Sequence, residues 1–357
     1  MAYTNVDDPS VHFQTTLYTG AGAGQTVTNG GNSDLKPDFL WIKRRNAGYA
    51  HFVVDSNRGL GSSNPPYLET DSTAVENSNQ NWISGVGTDS FTIGINEQNL
   101  SNTSGTYVAW QWKANGGTTA TNTDGAINST VQVNADAGFS ILTYTMGSGN
   151  ETVGHGLGVK PDIVITKARQ RSDSNGFWSV YTTLIDGSLD YLRLNDTNAK
   201  ADSSLAAPTT TVFTGAGSGT VAYRSFVAYC FASKQGYSKF GKYVGNGNVN
   251  GPMVYLGFKP AVIILKQTNT TGNWHIIDNK RSASGGANVN VYTLFPNLTA
   301  AESTGEAEST YGIDFLSNGF KIRASHSTRN TSGGTYIYMC FAENPFTTST
   351  GIPTTAR

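Results

Sequence analysis

The chain has 357 residues and a formal net charge of −1 at pH 7, and only 14% of its residues are charged, against about 25% in an average soluble chain. A surface this neutral attracts neither nucleic acid nor acidic lipid. No apolar run approaches the roughly 20 residues of a membrane helix. We therefore expect no nucleic-acid partner and no membrane insertion, and the length suggests two or three domains.

Short apolar runs separated by glycine, asparagine, serine and threonine dominate the chain, in which 41 residues are glycine and 37% are hydrophobic. This composition favours short strands joined by polar turns. The N-terminus lacks the apolar segment of a secretory signal, so we expect the product to stay in a reducing cytoplasm. Cys230 and Cys340 are therefore predicted to be unbridged, buried small hydrophobes.

A set of landmarks recurs three times in the same order, which predicts an internal repeat. The first is a glycine-rich turn that follows a tyrosine, at Tyr18, Tyr144 and Tyr243. The second is a Lys-Pro step, followed by an apolar run that ends in a lysine. The prolines are Pro37, Pro161 and Pro260, and the closing lysines are Lys43, Lys167 and Lys266.

Later landmarks follow in the same order. A strand that opens with a ring begins at His51, Trp178 and Trp274. An apolar turn and strand surround Phe91, Phe213 and Phe320. An aromatic strand closes each copy, at residues 107–112, 226–231 and 336–341. We predict repeat 1 at residues 1–115, repeat 2 at 138–234 and repeat 3 at 235–346, with a linker at 116–137 and a polar C-terminal tail at 347–357.

The pattern within each copy predicts antiparallel strands. The apolar runs after the prolines, at 39–42, 163–165 and 262–265, are typical of inner strands covered on both faces. We expect the closing lysine to keep its ammonium in water. The last strand alternates, so one face of it belongs to a core, and a second layer, a neighbouring repeat or another chain covers the other face. The predicted fold class is all-β, with tandem antiparallel β-sandwich repeats that are jelly-roll-like.

Few residues suggest chemistry. In copies one and three an arginine stands three residues after an aspartate, as Asp55 with Arg58 and Asp278 with Arg281. These pairs fit a polar site less well than a braced strand end, because copy two has Thr182 at the aspartate position. No pair of histidines has metal-ligand spacing. We predict no catalytic residue, no cofactor and no metal.

Carbohydrate contacts are a further expectation. Tyr67, Trp82 and Tyr311 stand in polar loop sequence, where an exposed ring could stack on a sugar or instead cover a sandwich edge or a subunit contact. A glycan depolymerase would need two acids across a cleft. Its candidate carboxylates are Glu69, Asp71, Glu302, Glu306 and Glu308, none with an aromatic platform beside it in sequence.

The opening segment 1–20, the Lys-Pro-Asp-aromatic strand, and segments 312–321 and 334–346 resemble a family of repeat-containing, tail-fibre-like virion structural proteins of marine tailed phages, including cyanophages. The resemblance implies a non-enzymatic protein on the virion exterior, assembled in the host cytoplasm. It implies contacts with other virion proteins, a homo-oligomer with threefold association, and recognition of a host surface glycan. A capsid decoration or head-fibre protein is the first alternative, and a glycan depolymerase is the second.

Overall fold

In the computed structural model, the described residues are 3–77, 81–170, 176–217, 224–281, 288–304 and 307–354. The chain is all-β, built from antiparallel sheets. Repeat 1 contains β1 (Phe13–Thr19), β2 (Gln25–Thr28), β3 (Phe39–Arg44), β4 (Phe52–Asp55), β5 (Leu68–Glu69), β6 (Ile83–Gly87), β7 (Ser90–Ile93) and β8 (Thr106–Trp112). The 3₁₀ turns Pro9–Val11 and Ser56–Arg58 lie before β1 and after β4.

Repeats 2 and 3 follow the same plan. The next strands are β9 (Ala120–Asn122), β10 (Ser129–Asn134), β11 (Phe139–Met146), β12 (Glu151–Gly154), β13 (Ile163–Ala168), β14 (Trp178–Thr182), β15 (Asp190–Arg193), β16 (Ala201–Asp202), β17 (Val212–Gly215) and β18 (Arg224–Phe231). Repeat 3 contains β19 (Ser238–Val244), β20 (Met253–Tyr255), β21 (Phe258–Gln267), β22 (Trp274–Asp278), β23 (Ile313–Leu316), β24 (Gly319–Ile322) and β25 (Thr335–Pro345), with short helices α1 (Glu308–Tyr311) and α2 (Ser327–Asn330). Neither helix of the described ranges is long and apolar enough to span a membrane.

Each repeat is a two-layer sandwich with the same strand order. The large sheet places the last strand between the first strand and the strand that follows the Lys-Pro step. The large sheets run β1-β8-β3-β4-β5, β16-β15-β14-β13-β18-β11-β10-β9, and β19-β25-β21-β22. The small sheets run β2-β7-β6, β12-β17 and β20-β24-β23.

The register repeats as well as the order. The equivalent cross-strand pairs at the centre of the large sheets are Trp41–Trp110, Ile165–Tyr229 and Ile264–Met339. The landmark tyrosine of each first strand stacks on the opening ring of the last strand. The ring-centroid distances are 5.0 Å for Tyr18–Tyr107, 5.4 Å for Tyr144–Phe226 and 4.9 Å for Tyr243–Tyr336. The repeat inferred from spacing is therefore a structural repeat.

The two faces of each last strand bury against different partners. In repeat 1, Tyr107 and Ala109 pack on the small sheet of the same repeat, within that repeat's own core. The alternate residues Val108 and Trp110 point away from that core. The face that carries Tyr107 and Ala109 is therefore covered by a second layer of the same repeat, and not by a neighbouring repeat or another chain.

The alternate faces of all three large sheets meet in a single central core. Its members from the last strands are Val108, Trp110, Trp112, Val227, Tyr229, Phe231, Ile337, Met339 and Phe341. All of these are almost fully buried, and burial of one such side chain stabilises the fold by roughly 1.5–3 kcal/mol. The three repeats thus pack around a shared aromatic centre.

The segment 116–137, predicted to be a linker, instead contributes β9 and β10 to the large sheet of repeat 2. β10 pairs with β11 from Ser129↔Tyr144 to Asn134↔Phe139, and Gly138 adopts a φ of +64° in the turn between them. The linker prediction was wrong because threonine and asparagine hid the alternation of Val131 and Val133. The polarity of β9 reflects its place at the end of the sheet order, where one edge has no strand partner among the described residues.

Candidate functional site

Three buried lysines join the repeats to one another in cyclic order. Each stands at the end of the strand after the Lys-Pro step and donates from Nζ to a backbone carbonyl of the preceding repeat. The bonds are Lys43 to Thr299 at 3.1 Å, Lys167 to Thr73 at 3.1 Å and Lys266 to Thr197 at 3.3 Å. Repeat 1 therefore holds repeat 3, repeat 2 holds repeat 1, and repeat 3 holds repeat 2. The ring closes, with approximate threefold symmetry.

These lysines correct the expectation that their ammonium groups lie in water. All three have a relative exposure of 0%, and each Nζ also donates to a carbonyl of its own repeat. Burial lowers the pKa of Lys43, Lys167 and Lys266 to about 8. The carbonyl acceptors satisfy the donors, so the charge is tolerated, although it has lost its hydration.

The aromatic side chain at the start of β14 and β22, and directly before β4, makes a second contact between repeats, again with approximate threefold symmetry. Trp178 Nε1 donates to the carbonyl of Glu69 in repeat 1 at 2.8 Å, and Trp274 Nε1 donates to that of Arg193 in repeat 2 at 2.8 Å. His51 is the third member, and it faces the backbone of Phe295 in repeat 3. Its Nε2 makes no hydrogen bond of normal geometry, while its Nδ1 accepts one from Trp41 at 2.9 Å.

The Asp-Arg pairs brace the strand ends, as the second interpretation above predicted, and they also lie at the interfaces between repeats, which was not predicted. At the interface between repeats 1 and 2, Arg58 Nε binds Asp55 Oδ2 at 2.6 Å, and Tyr229 of repeat 2 donates to the same oxygen at 2.6 Å. Glu76 then links Arg58, at 3.0 Å, to Arg169 of repeat 2, at 2.7 Å. Burial disfavours the charged form of Arg58, but Asp55 and Glu76 raise its pKa.

The interface between repeats 3 and 1 repeats this network. Arg281 Nε binds Asp278 at 2.6 Å, and Trp110 Nε1 of repeat 1 donates to Asp278 at 2.9 Å. Glu302 links Arg281, at 2.6 Å, to Arg45 of repeat 1, at 2.7 Å. In both networks, therefore, a donor ring on the last strand of one repeat meets a carboxylate of its neighbour.

The interface between repeats 2 and 3 replaces the whole network. In repeat 2, Thr182 stands in place of the aspartate, Ile185 in place of its arginine and Lys200 in place of the bridging glutamate. In repeat 3, Met339 stands in place of the partner ring and Thr268 in place of the partner arginine. Met339 has no hydrogen to donate, so a carboxylate opposite it would lack a partner. One backbone hydrogen bond is nevertheless common to all three interfaces. Glu76 N donates to the Arg169 carbonyl at 2.6 Å, Glu302 N to that of Arg45 at 2.7 Å, and Lys200 N to that of Thr268 at 2.8 Å.

At this third interface the sign of the bridging residue is reversed, and acids surround it. Lys200 Nζ lies 2.6 Å from Asp186, 2.8 Å from Asp190 and 2.8 Å from Asp202. The ammonium lowers the pKa of Asp202, whereas burial raises that of Asp190. These carboxylates are the group within the described residues whose oxygens lie close enough to hold a metal ion.

Residues 8–345 match the sequence model of the family described as "Domain of unknown function (DUF7483)". The chain belongs to this family. No curated protein and no solved structure matches the chain significantly.

The centre of the ring contains a small, enclosed and wholly apolar cavity of about 20 Å³. All three repeats line it, with Trp41 and Val53 from repeat 1, Ile165 from repeat 2, and Ile264 and Met339 from repeat 3. Such a volume is close to the roughly 10–15 Å³ that one water needs, but a water also needs polar partners. The cavity is therefore expected to be dry, and it offers no polar group to a substrate.

The structure brings two of the three predicted sugar-contact rings, Tyr67 and Trp82, together and places Tyr311 elsewhere. Tyr67 is buried, and its ring centroid lies 4.8 Å from that of Phe52 and 4.8 Å from that of Trp82. Of the two interpretations given above for Tyr67, the structure supports a ring that packs within the sandwich, because Tyr67 belongs to the core of repeat 1. Trp82 is half-buried against the same core.

Tyr311 lies in repeat 3, far along the chain from the other two rings. It is half-buried and stacks on His326 at 4.6 Å between centroids, and the guanidinium of Arg329 lies 4.9 Å from its ring. Tyr311 is the last residue of α1. An open depression lies beside this helix and is lined by Val249, Asn250, Glu308, Ser309 and Arg323.

Two of the candidate carboxylates of a depolymerase serve structural roles. Glu302 is held by Arg45 and Arg281, and Asp71 accepts the backbone N–H of His51 at 2.7 Å. Glu306 lies outside the described residues. The prediction for the cysteines is confirmed, because Cys230 and Cys340 are both free and buried.

The lysine contacts between repeats were missed, although the sequence contains a signal for them. Lys43, Lys167 and Lys266 recur at one offset, which a freely solvated side chain would not require. Their acceptors also recur at one offset, four residues after Glu69, Arg193 and Phe295. Two such positions that repeat together indicate a contact between neighbouring copies.

Proposed function

We propose that this chain is a non-enzymatic structural protein on the exterior of a tailed-phage particle, as a component of a tail fibre or other appendage. The observation that supports this most is the closed ring of three repeats around one core. In it the recurring charged side chains, such as Lys43, Arg58 and Arg281, serve contacts between repeats. A ring of this kind gives a rigid body with three similar outer faces, which suits an appendage built around a threefold axis.

The closed ring also bears on self-association. The aromatic faces that would otherwise drive three copies together are already buried within one chain, so a homo-oligomer would use the outer surface. The edge strand β20 is the contact we propose for another virion protein, because Met253 and Tyr255 on it are 44% and 52% exposed. Edge strands with apolar side chains are templates for pairing.

Particle localisation tests this function. An antibody against the purified chain, applied to intact phage and followed by electron microscopy, should label the tail or its appendages. Label on the head shell would favour the capsid-decoration or head-fibre alternative instead. If washed particles contain none of the chain, the proposal of a virion protein is wrong.

Host recognition and enzymatic activity have separate tests. Soluble chain that blocks phage adsorption would support binding of a host surface glycan. Release of reducing sugar from host polysaccharide would contradict the non-enzymatic proposal and favour the depolymerase. A variant with Tyr255→Lys should fold normally but enter particles less well if β20 is the docking edge, and Lys160→Ala, at an exposed position of repeat 2, is its control.

A further inference from the structure

The three interfaces differ in their charge balance. At the first, Asp55 and Glu76 face Arg58 and Arg169, so carboxylates and guanidiniums are equal in number. The interface between repeats 3 and 1 has the same balance. At the interface between repeats 2 and 3, three carboxylates share one ammonium, which leaves two negative charges without a partner in the cluster.

Among the residues that the structure describes, neighbouring cations do not supply the missing charge. Lys242 Nζ donates to the Ile185 carbonyl at 2.6 Å, and Arg193 lies 3.8 Å from Asp196, which it neutralises. Lys266 is fully buried and bound to carbonyl groups. The excess negative charge is therefore confined to the cluster of three aspartates and Lys200.

The innermost carboxylate has an unused oxygen. Asp190 has a relative exposure of 0%, and its Oδ2 receives no hydrogen bond from the described residues. It stands directly opposite Asp202 in the β15–β16 ladder, where like charges destabilise a sheet. A buried carboxylate oxygen without a donor is costly, so this position calls for a further positive charge.

We propose that Asp186, Asp190 and Asp202 bind a divalent cation, with calcium as the favoured ion, while Lys200 turns outward. One oxygen from each acid lies within 4.8 Å of the others, a separation that suits Ca–O distances of about 2.3–2.6 Å. The donors are all oxygen, and calcium tolerates irregular geometry that magnesium does not. The side chain of Lys200 is 26% exposed, so it can reach solvent.

The ion would stabilise one interface in particular. Lys200 and Asp202 are neighbours in the segment whose backbone binds Thr268 of repeat 3. A cation that joins this segment to β15 would fix it against repeat 3. With Lys200 turned outward, the divalent ion would leave the three carboxylates with one uncompensated negative charge, whereas the ammonium leaves two.

Thermal unfolding of the purified full chain tests the site. After chelation and dialysis, CaCl2 should raise Tm by about 3 °C or more at millimolar concentration, and MgCl2 at equal ionic strength should raise it less. Lys200→Gln removes the competing ammonium. It should lower the half-saturating calcium concentration at least fivefold.

Loss-of-site variants complete the test. Asp190→Asn should abolish the response. Because Asp190 is buried, Asp202→Asn is the safer variant, since that side chain is 82% exposed, and it should weaken binding at least about tenfold. Asp314→Asn, which alters an acid of repeat 3 outside this cluster, should respond like the unaltered chain.

Two results would overturn the proposal. The first is the absence of any calcium-dependent rise in Tm in both the unaltered chain and Lys200→Gln, which would leave Lys200 as the only cation of the cluster. The second is an equal response in Asp202→Asn, Asp190→Asn and Asp314→Asn, which would place binding elsewhere. Neither result depends on where the chain is located in a particle.

Discussion

The indole Nε1 of Trp110 in repeat 1 donates a 2.9 Å hydrogen bond to Oδ2 of Asp278 in repeat 3. The same carboxylate oxygen binds Arg281, whose guanidinium lies 5.4 Å from the Trp110 ring. A single side chain thus fills the shared core and also completes a buried ion pair in its neighbour. Its neighbour in the strand, Trp112, is equally buried, but its Nε1 has no partner among the described residues.

This difference predicts unequal effects of two matched substitutions. Trp110→Phe and Trp112→Phe remove the same volume from the central core, but only the first removes a hydrogen bond to a charged group. We expect Trp110→Phe to lower the free energy of unfolding by about 1.5–3 kcal/mol more than Trp112→Phe. Urea unfolding followed by tryptophan fluorescence and circular dichroism measures both. Equal losses would show that the bond to Asp278 contributes little.

The buried lysines predict that stability rises with pH between 8 and 9. Their pKa is about 8 in the folded chain and about 10.4 in an unfolded one, so the unfolded chain binds more protons in this range. Each lysine then adds at most about 1.4 kcal/mol per pH unit. From about pH 8 upward the effect is partly opposed, because burial raises the pKa of Cys230 to about 12 and the unfolded thiol, with a pKa of about 8.5, ionises first.

The measurement is urea unfolding at pH 7, 8 and 9. Lys266→Met should reduce the slope between pH 8 and 9 by the contribution of one lysine, at most about 1.4 kcal/mol per pH unit, whatever its effect on stability at pH 7. Lys321→Met changes a lysine outside these interfaces and should leave the slope unchanged. A flat profile in the unaltered chain would contradict the lowered lysine pKa.

His275 predicts a loss of stability in acid. It is buried, neither ring nitrogen has a partner among the described residues, and burial lowers its pKa well below the usual value. Below pH 6.5 the unfolded chain therefore binds a proton that the native chain does not. Stability falls as pH falls, by at most about 2 kcal/mol at pH 5 from this residue.

His275→Met should remove that contribution. We expect the variant to be more stable than the unaltered chain at pH 5 and to differ from it less at pH 8, where the imidazole is neutral in both states. Unfolding at the two pH values gives the comparison. A variant that loses as much stability between pH 8 and 5 as the unaltered chain would contradict the role of His275.

The central cavity predicts opposite effects at two adjacent valines. Val53 lines the cavity, whereas Val54 faces the filled core of repeat 1. Val53→Ile should stabilise the chain by roughly 0.5–1 kcal/mol, because the added methyl fills empty space. Val54→Ile should destabilise it by about 1–3 kcal/mol through overpacking. Thermal and urea unfolding measure both, and destabilisation by Val53→Ile would mean that the cavity cannot accept a methyl group.

The sequence predicted the repeat well because spacing and alternation are local properties. The strand after Pro37 and the closing strand at 107–112 were recognisable from period and composition. The closure of the ring was not, since it depends on which copy lies beside which. Lys43 was predicted to be exposed because an isolated lysine usually is, and only its distant acceptor, Thr299, reverses that expectation. The role of Tyr67 stayed open between a sugar platform and a packed ring, because a polar loop sequence does not reveal the Phe52 and Trp82 rings around it.

Closure of the ring has a consequence for how the chain can be divided. If any one repeat were removed, the other two would expose the aromatic faces of their large sheets, and two of the three interfaces would be lost. A truncated chain should therefore aggregate instead of folding as a smaller unit. The three copies are covalently tethered, so they meet at a high effective concentration that does not depend on how dilute the protein is. Gene duplication followed by divergence would then have been free to change one interface at a time. Met339 illustrates this, because it stands where the other two repeats have Trp110 and Tyr229.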